Sequence, residues 1–123
     1  MNATVYLHPV MQEAVRQILL VLAPRGTVTS SFRSVAEQAA LRRAFESGHG
    51  YPAERPGQST HHTGLSVDFV VREGMHSPEQ MALGAYWRSI GGIWPGPRDP
   101  MHFQHPDAEA VLRAGYVKPR WWL

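Results

Sequence analysis

The segment Ser59-Thr60-His61-His62-Thr63-Gly64-Leu65-Ser66-Val67-Asp68 constrains this chain more than any other stretch of it. From Leu65 the residues alternate. Leu65, Val67 and Phe69 share one face, and Ser66, Asp68 and Val70 share the other, which is the period of a half-buried strand. A carboxylate on the polar face of a mostly buried strand needs a partner, because an unpaired buried charge is costly. His61 stands just before the strand, where a loop can fold back towards Asp68, and Gly64 has the backbone freedom for that return. The chain has no cysteine and seven histidines. A disulfide framework, a thiolate zinc site and a cysteine nucleophile are therefore excluded, and imidazole becomes the metal ligand to look for. One imidazole and one carboxylate make two-thirds of a catalytic zinc site, so the third ligand should be a second histidine, with water at the open position.

The segment Asp99-Pro100-Met101-His102-Phe103-Gln104 supplies one. Read as a strand, it puts His102 and Gln104 on one face and Met101 and Phe103 on the other. His102 is thereby aimed at a polar surface while its neighbours enter the core. Asp99, just ahead of the strand, is placed to accept the proton of a water attacking an amide.

The rest of the chain gives these segments a frame. Met11, Val15, Ile18, Leu19 and Leu22 have helical spacing, and Pro24 and Gly26 end that helix. Thr27 to Phe32 reads as a short strand. Ser34, with Glu37 three residues on, opens a second helix through a capping box, and that helix runs to Ser47 and Gly48. Gly48 to Ser59 is a loop rich in glycine and proline. Ser77 caps a third helix with Pro78 in its first turn, and Gly91-Gly92 stops it. A short strand over Met101 to Gln104, a short helix from Asp107 to Ala114 and a tail with Trp121 and Trp122 complete the chain. Three short strands among these helices predict an α+β fold, a small antiparallel sheet with segregated helices. At 123 residues the expectation is a single domain over 1–123.

The first segment resembles the S-x-H-x-x-G-x-A-x-D signature of the lysostaphin, D-Ala-D-Ala peptidase and hedgehog (LAS) group of zinc peptidases, and the second resembles that group's acidic-x-x-His motif. Ser, His, Gly and Asp at those spacings arise by chance about once in 10^5 start positions. Ser30-Ser31-Phe32-Arg33-Ser34 with Gln38 is similar to the group's upstream S-G-[YF]-R-S…Q segment. The resemblance spans residues 27 to 105 and implies a hedgehog/D-Ala-D-Ala peptidase-like fold. It also implies zinc ligands His61, Asp68 and His102 with one Zn2+ per chain, Asp99 as general base, and Arg33 stabilising the oxyanion. Ser59 and Gln38 would then contact substrate. The chain departs from the pattern at Ser66, where alanine is usual, at Ser31, where glycine is usual, and at Asp99, where the D,D-peptidases carry glutamate. Asp-x-x-His-Phe is more similar to the L-alanyl-D-glutamate endopeptidases, many of them phage endolysins.

The resemblance therefore implies a peptidoglycan hydrolase whose substrate is a stem peptide. An L-Ala-D-Glu endopeptidase comes first and a D-Ala-D-Ala carboxypeptidase second. A non-catalytic zinc-binding module is the rival of another class, opposed by the presence of Asp99. Net charge is +2 without a basic tract, so nucleic acid is not an expected partner. The longest apolar run, Ile18 to Ala23, is too short to span a bilayer, and no secretory signal is evident. A monomer made in the cytoplasm and acting on the cell wall is expected. His8, His49 and His76 read as ordinary surface or core histidines, His62 as a rim residue and His105 as exposed. The tryptophans read as packing, with Trp94 close enough in sequence to Asp99 to line the cleft.

Overall fold

Strand β2 (Ser66–Val70) lies between β1 (Thr27–Ser30) and β3 (His102–Gln104), and both pairings are antiparallel. The structure, a computed structural model, describes residues 7–115; Trp121, Trp122 and the rest of the tail lie outside them. The α+β class is as expected: a three-stranded antiparallel sheet accompanied by helices.

The sheet has two chemically distinct faces. Val67, Phe69 and Phe103 are fully buried on one, where Phe103 meets Phe69 and Trp87 edge-to-face at 6.2 and 5.8 Å. The other carries Ser66, Asp68, His102 and Gln104, paired as Ser66 with Gln104 and Asp68 with His102. On the β1 side Val28 faces Phe69, but Ser30 faces Asp68, so a bulge at Thr29 absorbs one residue. The bulge shortens the strand expected to reach Phe32 and brings Ser30, rather than Thr29, beside Asp68.

The first helix packs beneath the apolar face in three continuous parts: α1 (Pro9–Ala14), a π turn (Val15–Leu19) and α2 (Leu20–Leu22). Leu7, Met11, Val15 and Leu19 are all fully buried. In a plain α-helix a row spaced by four drifts about 40° per step. The wider π turn brings the row back in line, so all four reach one core.

Helix α3 (Val35–Glu46) begins with the expected capping box between Ser34 and Glu37. Helix α4 (Pro78–Ser89) starts at the Ser77 cap, and its buried Gln80 is a clamp. Gln80 Oε1 accepts from the Val71 amide, and Nε2 donates to the carbonyls of Phe69 and Pro100. Gly84 of α4 lies under Trp94; a Cβ there would sit 2.0 Å from the indole. Trp94 is buried, and its Nε1 donates to the Pro100 carbonyl at 2.9 Å. It thus packs behind the Asp99 loop. Helix α5 (Ala108–Arg113) closes the described chain against the turn that carries His61.

Candidate active site

Asp68 is the centre of the site because antiparallel register sets His102 directly across from it. His61 comes from a 3-10 turn (Thr60–Thr63) that precedes β2. Ser59 caps this turn, its Oγ accepting the His61 amide at 3.2 Å, and Gly64 ends it with φ at 72°, a conformation that suits glycine. Asp68 Oδ1 lies 3.3 Å from His61 Nε2 and 3.6 Å from His102 Nδ1. All three atoms fall within 4.8 Å of one another. Ligands about 2.1 Å from a tetrahedral zinc are about 3.4 Å apart, so these separations suit one ion.

The remaining imidazole nitrogens are used elsewhere. His61 Nδ1 donates to the Ser31 carbonyl at 2.9 Å, and His102 Nε2 donates to Gln104 Oε1 at 2.7 Å. A neutral ring that keeps its proton on this far side turns a lone pair towards Asp68, the arrangement a metal ligand requires. Two imidazole nitrogens and a carboxylate oxygen are a catalytic zinc donor set with an open fourth position. Burial pushes the Asp68 carboxyl up, but the contacts and charges of His102 and His61 outweigh it and hold the carboxyl well below the usual range. Burial lowers His102, and the bonds to Asp68 and Gln104, with the charges of Asp68 and Asp99, outweigh that and raise it.

Asp99 occupies the loop before β3. Its amide donates to the Gly96 carbonyl at 3.1 Å, and its own carbonyl accepts the His102 amide at 3.2 Å. The residue is exposed overall. Partial burial of its carboxyl pushes it upward with help from the charge of Asp68, against the opposing pull of His102, His61 and Arg33. It therefore shares the field of the His61-Asp68-His102 group without belonging to it.

Arg33 enters from the link between β1 and α3. Its guanidinium donates to Gln38 Oε1 at 2.9 Å and Ser30 Oγ at 2.7 Å, and lies 3.7 Å from Asp68 Oδ2. The two oxygens of Asp68 are thus divided, one towards the histidines and one towards the arginine. Gln38 is 1% exposed, and its Nε2 donates to the Glu54 carbonyl at 2.7 Å. Ser59 is 4% exposed. Both lie behind the site, with their polar atoms engaged by the protein.

His62, expected at the rim, is fully buried. Its Nδ1 donates to the Arg33 carbonyl and its Nε2 accepts the Gly57 amide, so it fastens the turn to the Arg33 link. Trp94 packs behind the loop rather than lining the cleft. His105 is partly buried and accepts the Asp107 amide at Nδ1. Gln104, Thr60 and the Ser31 carbonyl were not singled out from sequence. Only Gln104 left a signal there, by sharing the His102 face. A groove of about 530 Å³ beyond the end of β2, lined by residues including Leu22, Val71 and Tyr86, holds none of these groups.

No protein-family model matches the chain, and no curated protein matches it. Solved structures do. The chain is similar to one described as the LdcB LD-carboxypeptidase, reported for its peptidoglycan recognition, with a TM-score of 0.64 and 17% identity over 96% of this chain and 69% of that one. It is also similar to VanYB in complex with D-alanine-D-alanine, with a TM-score of 0.53 and 19% identity over 87% of this chain and 75% of that one. The fold implied by the sequence motifs, that of the LAS-type peptidases, is therefore the fold this chain adopts.

Proposed function

We propose that this protein is a zinc peptidase that hydrolyses an amide bond of the peptidoglycan stem peptide. The observation that carries the proposal is the convergence of His61 Nε2, Asp68 Oδ1 and His102 Nδ1, with both far-side imidazole nitrogens already bonded. His61, Asp68 and His102 would hold the ion. Bound zinc supplies Lewis-acid polarisation of the scissile carbonyl and makes water acidic enough to attack near neutral pH. The chain's own residues do the rest. Asp99 takes the proton of the attacking water on its carboxylate and returns it to the leaving amine. Burial raises its pKa, which improves its match to both transfers. Arg33 brings a delocalised positive charge, and its bonds to Ser30 and Gln38 hold the guanidinium for the negative charge that develops on the carbonyl oxygen. Gln38 serves Arg33 from behind, and Ser59 serves His61 by capping its turn.

Two bonds compete as the substrate. The similarity to LdcB and to VanYB with D-alanine-D-alanine supports removal of a C-terminal D-amino acid. The aspartate at position 99 supports the L-Ala-D-Glu endopeptidase reading through the Asp-x-x-His-Phe resemblance. Purified peptidoglycan digested with the zinc-loaded protein and weighed by mass spectrometry decides between them. Free D-alanine marks the first bond, and a new C-terminal L-alanine next to the lactyl group marks the second. Intact stem peptides after treatment with the zinc-loaded protein would overturn the enzymatic reading.

A further inference from the structure

Three buried polar residues behind His102 form a directional chain that the hydrolytic mechanism does not use. Ser66 Oγ donates to Thr60 Oγ1 at 2.7 Å, Thr60 Oγ1 donates to Gln104 Oε1 at 3.3 Å, and the same oxygen accepts from His102 Nε2 at 2.7 Å. Ser66 is 0% exposed, Gln104 5% and Thr60 7%. Ser66 and Gln104 are register partners across β2 and β3, two residues from the paired Asp68 and His102.

We infer that Gln104, oriented by Thr60 and Ser66, is the positioning residue that sets the tautomer of His102 and so makes its Nδ1 available as a metal ligand. The inference rests on the zinc reading of the site. A neutral imidazole has one N–H and one lone pair, and an amide oxygen only accepts. With Gln104 Oε1 at Nε2, the proton belongs there and the lone pair faces Asp68. A glutamine amide can also turn and present its NH2 group. That would move the imidazole proton to Nδ1 and close the ligand atom. Thr60 opposes the turn, because its buried hydroxyl donates to the amide oxygen and would lose this acceptor. Ser66 in turn donates to Thr60, leaving the Thr60 proton free for Gln104. This gives a physical account of Ser66 standing where the resembled signature has alanine: its hydroxyl completes a chain that ends on a ligand. A neutral amide also adds no further negative charge beside Asp68 and Asp99.

The test measures zinc affinity by competition with a chromophoric chelator, and the thermal midpoint of the metal-free protein, for the wild type and four variants. Gln104→Met keeps the length but removes the acceptor, and its zinc affinity should fall about 10- to 100-fold. Gln104→Glu restores an acceptor for both His102 and Thr60, and should bind zinc at least as tightly as the wild type. Thr60→Val and Ser66→Ala should weaken binding in the same direction by less. Affinity that follows the acceptor at position 104 supports the proposal. Affinity that instead follows the metal-free midpoint across all variants, or Gln104→Met binding like the wild type, overturns it while the zinc reading stands. Should Gln104→Met fail to fold, wild-type affinity in Thr60→Val overturns it equally. A wild-type protein that binds no zinc overturns both.

Discussion

The proposed ligand cluster and the proposed base, Asp99, stand on opposite structural terms. His61, Asp68 and His102 come from a central strand, its neighbour and a capped turn, and each histidine is fastened at its far nitrogen. Asp99 comes from a loop whose backbone is fastened to Gly96 and His102 while the residue itself stays exposed. A metal needs its ligands within a few tenths of an ångström, which packed strands and hydrogen-bonded rings provide. A proton carrier needs contact with water and two successive partners, the attacking water and the leaving amine, which a buried and fully bonded carboxylate could not serve. Arg33 stands between the two regimes, partly buried, charged, and gripped at both ends of its guanidinium.

Removing a ligand breaks the rigid side of this contrast. His61→Ala should abolish stoichiometric zinc in metal analysis and cut hydrolysis by more than the about 10⁴-fold that loss of a general base can cost. Asp99→Asn breaks the exposed side alone. Zinc content should stay at the wild-type level while hydrolysis of stem peptides falls about 10²- to 10⁴-fold; near-full activity with zinc in place would remove Asp99 from the mechanism. Arg33 sharpens the boundary. Arg33→Ala should lower kcat and kcat/KM together by about 10²- to 10³-fold if its charge acts only on the transition state. Arg33→Lys, which keeps the charge but cannot hold both Ser30 and Gln38, should fall between. A rise in KM alone would reassign Arg33 to binding a substrate carboxylate.

The smallest effect lies outside the site. Ser34→Ala removes half of the α3 capping box and should cost about 1 kcal/mol in chemical denaturation without changing zinc affinity. The bond from the Ser34 amide to the Glu37 carboxylate, with help from the Ser34 side chain, holds Glu37 below its ordinary pKa. Its contribution to stability is then complete above its unfolded-state pKa and is lost as pH falls through the lower folded value. Glu37→Gln should flatten that acid-side loss, and an unchanged pH profile would show that the cap carries no linkage.

The elements were legible where chemistry and periodicity agreed. The capping box at Ser34, the Pro78 start of α4 and the alternation over Leu65 to Val70 each need only local rules. The grouping of His61, Asp68 and His102 was legible because their residue types and spacing are improbable together. Three features were not. The bulge at Thr29 depends on register with β2, which no local pattern in Thr27 to Ser30 encodes. The π turn depends on the whole row Leu7-Met11-Val15-Leu19 meeting one core. The burial of His62 depends on the Gly57 amide and the Arg33 carbonyl, five and 29 residues away in the chain. An isolated histidine beside a ligand carries no sign of either contact.

The seat of Trp94 on Gly84 extends the site's influence to the back of the molecule. The indole donates to the carbonyl of Pro100, the residue after Asp99, and Gln80 of the same helix donates to that carbonyl too. A methyl group at position 84 would overlap the ring and drive out the wedge that supports the loop. In a mutational scan scored by wall hydrolysis, Gly84 should therefore behave as an active-site position although it touches none of the reacting groups. On the proposed mechanism, the rate of proton transfer at Asp99 is partly written into helix α4, through the carbonyl that Trp94 and Gln80 share.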